Sequence, residues 1–296
     1  MNRKKKILVL YDNKLLSLSN FRNKGLHAEH TFKKLKLVSR LVRRIFKLLR
    51  LSQSYWYGDW KRNLVSFKTV IIFAPGELSE LRFIKKANNN IRIIYWYWNP
   101  VIRIGKPPPD LFKLAEVWSF DREDCRNFGF RYNSTFYFDN LVLPKNNVEI
   151  DAIFVGLNKG RRQYLQGLEN LLNRNGVKSY FHIVPDKNES AKFQIKGIPY
   201  EEYLIVLSKS IAIIDIKPVG QSGLTVRPME SIFFEKKLIT TDQTISSEDF
   251  YYPQNVFIIG KDDENYLKNF IDSPYFSLNK NIVANYDIDN WLKRFN

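Results

Sequence analysis

Residues 208–242, SKSIAIIDIKPVGQSGLTVRPMESIFFEKKLITTD, constrain the fold more than any other stretch of the chain. An apolar run, Ile211–Ile214, ends in Asp215, and a loop with Gly220, Gln221, Ser222 and Gly223 follows. A helix then starts near Thr225, and a second apolar run, Leu238–Thr241, closes the unit. Strand, glycine-rich loop, helix and strand in this order make a parallel βαβ unit. Its loop offers backbone N–H groups and a helix N-terminus to an anion, usually a phosphate. Thr225 is placed to cap the helix, and Pro228 is tolerated because first-turn N–H groups have no intrahelical partner. Glu230 cannot bind phosphate, but a carboxylate one turn in can accept hydrogen bonds from ribose hydroxyls. Donors for phosphate and an acid for ribose read together as a nucleotide site. The alternative is an ordinary βαβ turn with a surface glutamate.

Residues 150–163, IDAIFVGLNKGRRQ, repeat the theme: a strand over Ile150–Val155, a turn with Gly156 and Gly160, and a helix from about Arg161. Lys159, Arg161 and Arg162 crowd the turn. Positive charge at a helix N-terminus opposes the macrodipole, a cost that an anion at this place would offset. In a parallel sheet the loops after the strands share one edge, so both loops are expected at one diphosphate site.

The rest of the chain alternates in the same way. Apolar runs at 7–11, 70–73, 91–96, 115–120 and 135–138 predict strands, with helices over 31–51, 77–88 and 121–128. After a linker at 141–150 the pattern restarts with strands at 150–155, 178–184, 211–215, 237–241 and 256–260. Helices fit at 161–175, 199–210, 226–236 and 262–271, and a last one at 286–295. The expected fold class is therefore α/β, with two Rossmann-like domains facing across a cleft. They would cover 1–146 and 147–279, with residues 280–296 returning to the first.

The formal charge is +17, and residues 1–62 hold 17 Lys/Arg against Asp12, Glu29 and Asp59, so they carry +14 of it. Within them, TFKKLKLVSRLVRRIFKLLRL (31–51) has eight basic residues and no acid. Its apolar residues recur at spacings of three and four, while Lys36, Arg40, Arg43, Arg44, Lys47 and Arg50 fill other faces. A basic amphipathic helix of this kind fits an anionic membrane surface. The alternatives are a helix packed on the sheet with a solvated cationic face, and nucleic-acid binding. Against the last, no RNA- or DNA-binding motif is present and the charge is packed into one segment. One cysteine, Cys125, excludes an internal disulfide and points to a reducing compartment. The apolar run Ile7–Leu10 is too short for a signal peptide and reads as a first buried strand.

Neither half has G-x-G-x-x-G after its first strand, which disfavours a dinucleotide oxidoreductase, and there is no Walker A sequence. His27 and His30 lack the partners of a metal site. Asp287-Ile288-Asp289 spells D-x-D, but its place before the last helix makes it a cap.

These residues resemble sugar-nucleotide glycosyltransferases of the GT-B fold, especially bacterial enzymes of lipopolysaccharide core and capsular polysaccharide assembly. The resemblance rests on Tyr200–Leu204, Ile213–Ile216, Gly223-Leu224-Thr225-x-Arg227-x-x-Glu230 and Lys237–Thr241, with weaker echoes at Tyr95–Pro100 and Val117–Asp121. It implies a nucleotide-sugar donor in the C-terminal domain and an acceptor in the N-terminal one. It places ribose at Glu230, and the donor's diphosphate at Gly223, Leu224, Thr225, Lys159, Arg161 and Arg227. Ser222 stands where many retaining members have a second glutamate, and the loop before Glu230 is longer.

Transfer passes through an oxocarbenium-like transition state while negative charge grows on the diphosphate. With no metal site legible, the expectation is a reaction that requires no metal and no cofactor. Lys159, Arg161, Arg227 and the N–H groups at 223–226 would then stabilise the leaving group. The general base is expected at a strand's end in the first domain, with Glu77 the first choice and Asp12 the second. Trp98 and Asn99 are candidate acceptor contacts, although aromatics at 95–98 also fit a buried strand. The expected partners are a nucleotide sugar, a glycan or lipid-linked acceptor and an anionic membrane, with no specific nucleic acid. The expected location is the inner face of a bacterial cell membrane. Base, sugar, acceptor, stereochemistry and oligomeric state stay open.

Overall fold

The computed structural model describes residues 3–12, 17–49, 51–186 and 195–296. The chain divides into two units: Met1–Ser134 with Gly220–Gly223, and Thr135–Val219 with Leu224–Asn296.

In the first unit, six parallel strands lie in the order β2-β1-β3-β4-β5-β6. They are β1 (Ile7–Leu10), β2 (His27–Glu29), β3 (Thr69–Phe73), β4 (Arg92–Tyr97), β5 (Glu116–Ser119) and β6 (Arg131–Tyr132). The helices are α1 (Leu18–Asn23), α2 (Leu37–Leu48), α3 (Leu78–Ala87), α4 (Val101–Ile104), α5 (Leu111–Leu114) and α6 (Arg122–Phe128). Strands covered on both faces must be apolar throughout. Leu8, Val70, Ile72, Ile93, Tyr95 and Tyr97 pack on one face with Leu81 and Ile84 of α3. Val9, Ile71, Ile94 and Trp96 alternate with them and are as deeply buried. The aromatics of β4 are therefore core residues.

The second unit holds β7 (Ile150–Leu157), β8 (Ser179–Val184), β9 (Ser210–Asp215), β10 (Lys237–Thr240) and β11 (Val256–Ile258). They form a parallel sheet in the order β11-β10-β9-β7-β8. Its helices are α7 (Arg162–Arg174), α8 (Tyr200–Ser208), α9 (Val226–Phe233), α10 (Leu267–Asp272), α11 (Lys280–Asn285) and α12 (Ile288–Lys293). Leu165, Leu168 and Leu172 of α7 and Leu267 of α10 pack on Ala152, Phe154, Ala212 and Ile239.

Three details differ from the sequence expectations. Residues 31–36 lie outside α2, and Phe32 pairs instead with Tyr57 in an isolated bridge. Residues 135–138 form no ladder; Tyr137 bridges Asp287, and the Phe136 ring lies 4.3 Å from that of Trp291. Both partners of these contacts group with the second unit, as does the whole of 280–296, and the division after Ser134 precedes the expected one at 146. Asp287 caps α12 through the Asp289 N–H at 3.2 Å.

In both sheets chain order reverses beside the first strand, between β1 and β3 and between β7 and β9. Ligands of open α/β sheets bind beyond the carboxyl ends of the strands at such reversals.

Candidate functional site

At the second sheet's reversal, β7 runs into a turn where Lys159 takes a positive φ of 51° and Gly160 one of 73°. The N–H groups of Lys159 and Gly160 donate to the Asp186 carboxylate beyond β8, at 3.0 and 2.7 Å. Arg161 crosses the reversal and donates to the Ile216 carbonyl after β9 at 2.9 Å. Lys159 and Arg161 therefore lie on one edge of the second sheet, while Gly220–Gly223 of the other loop group with the first unit.

Thr225 caps α9, accepting from the Arg227 N–H at 3.2 Å and donating to Asp215 at 2.8 Å. Burial pushes the Asp215 carboxyl up, against the hydrogen bonds from Thr225 and Thr240 and the nearby Arg227. Arg227 donates to Glu230 at 2.5 Å and to the Val155 carbonyl at 2.8 Å, and lies 4.2 Å from the centre of the Tyr203 ring. Burial would lower the Arg227 pKa, but the Glu230 carboxylate together with Tyr203 and Tyr200 outweighs it and the net shift is upward.

Glu230 is 0% exposed. Tyr200 donates to its Oε1 at 2.9 Å, and Tyr203 and Arg227 to its Oε2 at 2.7 and 2.5 Å. Tyr137 completes the network by bonding the Tyr200 hydroxyl. In this arrangement Glu230 is an internal acceptor that fixes Arg227 and two tyrosines, rather than a carboxylate presented to a ribose. Its position one turn into α9 predicts a ligand-facing carboxylate; the tyrosines of α8 that enclose it instead are not legible from spacing.

The glycine-rich loop also differs from expectation. Asp121, at the carboxyl end of β5, accepts from the N–H groups of Ser222 at 2.7 Å and Gly223 at 3.1 Å, and from the Ser222 hydroxyl at 2.6 Å. The same carboxylate caps α6 through the N–H groups of Glu123 and Asp124. A carboxylate of the chain itself thus holds the Gly223 amide, one of those at 223–226 expected to meet a phosphate. Burial raises the Asp121 pKa, but these hydrogen bonds prevail and hold it below the usual carboxylate range. Gly223 is required for another reason: an added Cβ would collide with the Phe120 ring and lie 2.6 Å from the Phe120 carbonyl oxygen. Leu224 is buried, and its carbonyl accepts from Thr135 at 3.1 Å.

Both candidate bases stand at the first sheet's reversal, Asp12 after β1 and Glu77 after β3. Asp12 is half exposed; it accepts from the Thr31 N–H at 3.0 Å and lies 3.5 Å from His30 Nδ1. Glu77 opens α3 in a reciprocal capping box with Glu80. Gln53 Nε2 donates to it at 2.5 Å, Lys47 Nζ lies 3.0 Å away and Arg43 3.8 Å away. Glu80, behind it, is 1% exposed. Burial, and then the Glu77 and Asp12 carboxylates, push its pKa up to about 8, against a backbone hydrogen bond from Glu77. The E-x-x-E spacing held this signal, because position N3 of a capping box turns its side chain back to the cap. A groove of roughly 660 Å³ beside Glu77 is lined by Gln53, Tyr57, Ser79, Arg82, Phe83 and Lys86. Trp98 and Asn99 follow β4 at the same sheet edge and are half-buried, the Trp98 ring 5.6 Å from that of Phe73.

No residue of α2 is buried. Its inner face carries Arg43, which stacks on Phe32 at 3.8 Å, and Phe46, whose ring lies 4.9 Å from that of Trp56. Its apolar face points outward, with Leu37 and Leu48 each 82% exposed and Val38, Leu41 and Ile45 also open. Lys36, Arg40, Arg44 and Lys47 are exposed beside it. Arg50 lies outside the described residues. No helix among the described residues is long and apolar enough to cross a membrane.

No family model matches the chain, and no curated protein matches its sequence. Among solved structures, T4 phage BGT in complex with UDP and Mn2+ superposes over 98% of this chain and 97% of its own, with a TM-score of 0.52 and 11% identity. The fold is GT-B. A glycosyltransferase from Rickettsia africae ESF-5 covers 98% of this chain and 88% of its own at 10% identity, with a TM-score of 0.43, too low to add weight. At such identities the GT-B likeness establishes the fold alone.

The comparison corrects one expectation. A reaction needing no metal does not stand beside a neighbour of the same fold whose structure holds Mn2+ together with UDP. Among the described residues, no group of three or more His, Cys, Asp or Glu side chains is placed to hold a metal ion. These side chains do not assemble a metal site of their own.

Proposed function

We propose that this chain is a glycosyltransferase that moves a sugar from a nucleoside-diphosphate sugar to a lipopolysaccharide or polysaccharide acceptor. It would work as a peripheral protein on the inner face of a bacterial cell membrane. The observation that carries the transferase reading is the GT-B superposition over 98% of the chain on a protein that holds UDP. Basic side chains at the second sheet's reversal support the donor's placement there, beside Lys159 and Arg161, with Arg227 behind them. A divalent cation would accompany the diphosphate, as Mn2+ accompanies UDP in the phage protein.

In this reading Glu77 accepts the proton of the acceptor hydroxyl as the oxygen attacks the anomeric carbon. Growing negative charge on the departing diphosphate is met by Lys159 and Arg161. Glu230 serves the donor side indirectly, by holding Arg227. The exposed apolar face of α2, flanked by cations, supports the membrane placement.

The test is thermal stabilisation by UDP, GDP, ADP, dTDP and CMP, each with and without Mn2+. One nucleotide at 100 times its dissociation constant should add roughly 2.7 kcal/mol. That gain should shrink in Arg161→Ala. No stabilisation by any nucleotide, with or without Mn2+, would overturn the reading.

A further inference from the structure

The cations that hold Glu77 belong to the helix that faces outward. Lys47 and Arg43 are one turn apart on α2 and converge on Glu77 Oε1 at 3.0 and 3.8 Å. Gln53, buried just beyond the helix, binds the other carboxylate oxygen at 2.5 Å and accepts from Arg43 at 3.1 Å. The side chain of Lys47 is 61% exposed, so it stands at the edge between the protein-facing side of α2 and solvent. Residues three and four apart share a helix face. Arg40, Arg44 and Lys47 thus form the cationic border of the apolar stripe Leu37, Leu41, Ile45 and Leu48.

Two demands meet on one ammonium group. Seated on an anionic bilayer, the apolar stripe of α2 would enter the interface, and its bordering cations would pair with lipid phosphates. Lys47 cannot serve a phosphate and Glu77 equally well. Taking Lys47 away removes the nearest cation from Glu77 Oε1, where Arg43 stays 3.8 Å away, and opens that oxygen to solvent.

We propose that Lys47 is a latch on Glu77, closed in solution by the ion pair and opened when an anionic lipid surface captures α2. The inference rests on the membrane reading and on Glu77 as the base. Lys47 is a positioning residue here, since it acts through Glu77. The device confines proton abstraction to the surface where a lipid-linked acceptor resides, and suppresses transfer of the sugar to water elsewhere.

The experiment labels the full chain with a water-soluble carbodiimide and an amine, and reads Glu77 by mass spectrometry. It is run alone, with phosphatidylcholine vesicles, and with vesicles of phosphatidylcholine and phosphatidylglycerol. Co-sedimentation reports membrane binding separately. Labelling of Glu77 in the wild-type chain should rise several-fold on the anionic vesicles only. Lys47→Gln should show the high labelling without vesicles, still bind them, and respond little further. Leu41→Asp with Leu48→Asp should lose vesicle binding and keep the low labelling throughout.

Donor turnover adds a second readout. Release of nucleoside diphosphate from the donor should rise several-fold on anionic vesicles, and in Lys47→Gln without them. Vesicle binding with unchanged Glu77 labelling overturns the latch and leaves the membrane reading standing. Absence of vesicle binding overturns both. A labelling response without any donor turnover retains the latch and sinks the assignment of Glu77 as the transferase base.

Discussion

Asp121 accepts the backbone N–H groups of Ser222 and Gly223 on one side and those of Glu123 and Asp124 on the other. One carboxylate thus closes a loop and starts a helix, both within the first unit. Removing it takes the carboxylate from the amides of Ser222, Gly223 and Asp124, while the Glu123 N–H keeps the Ser222 hydroxyl at 3.0 Å; a buried donor without a partner is costly.

Asp121→Asn should therefore destabilise the first unit by about 1–3 kcal/mol at neutral pH. Amide exchange at Ser222 and Gly223 should accelerate. The native carboxyl titrates below its unfolded value, so its contribution is present above the unfolded pKa and is lost as pH falls through the folded one. The gap between variant and wild type should narrow on acidification below about pH 4. Equal exchange at these amides in both proteins would refute the assignment.

Glu80 predicts the opposite slope. Its carboxyl is raised from 4.5 to about 8, so between those values the unfolded chain is ionised while the folded one keeps its proton. Stability is whole below the unfolded pKa and falls by up to about 1.4 kcal/mol per pH unit on the way to the folded one. Glu80→Gln should flatten that slope and be the more stable protein at pH 8. Denaturant melts at pH 5 and pH 8 read this, and parallel slopes would count against it.

Arg227 and Glu230 form a buried pair. Arg227→Met alone should cost about 3–5 kcal/mol, because it leaves an uncompensated carboxylate among Tyr200 and Tyr203. Adding Glu230→Gln should recover part of the loss, a coupling measurable by a double-mutant cycle in denaturant. Strict additivity would show that the pair acts independently.

Gly223→Ala brings a methyl group within 2.6 Å of the Phe120 carbonyl oxygen, where backbone has to move. The expected loss is about 1–3 kcal/mol. Gly160→Ala meets no atom within 4 Å but carries a φ of 73°, so its cost is strain alone. Melting temperatures of the two variants separate crowding from strain, and a neutral Gly223→Ala would discard the packing account.

Much of the fold was legible because buried parallel strands are apolar without interruption. Ile71–Phe73, Ile93–Trp96 and Ile213–Asp215 were all read at their observed places. His27–Glu29 escaped notice because three residues with two polar ends give no period. Phe136–Phe138 misled for the reverse reason: they are as apolar as a strand, yet their partners are Trp291 and Asp287, distant in sequence. At the site, capping chemistry is local, so Thr225, Asp287 and the opening of α3 could be placed. Asp121 on residues 222–223, and Lys47 on Glu77, join segments too far apart for spacing to reveal.

Gly220–Gly223 come late in the sequence yet group with the first unit. Truncation libraries should feel this. A fragment ending near the 141–150 linker would retain every strand of the first sheet and still lack four residues that cover Phe120 and occupy Asp121. The complementary fragment would carry them with nothing to hold. Independent expression of the halves is therefore a poorer route to this protein than circular permutation, which keeps the whole chain in one piece.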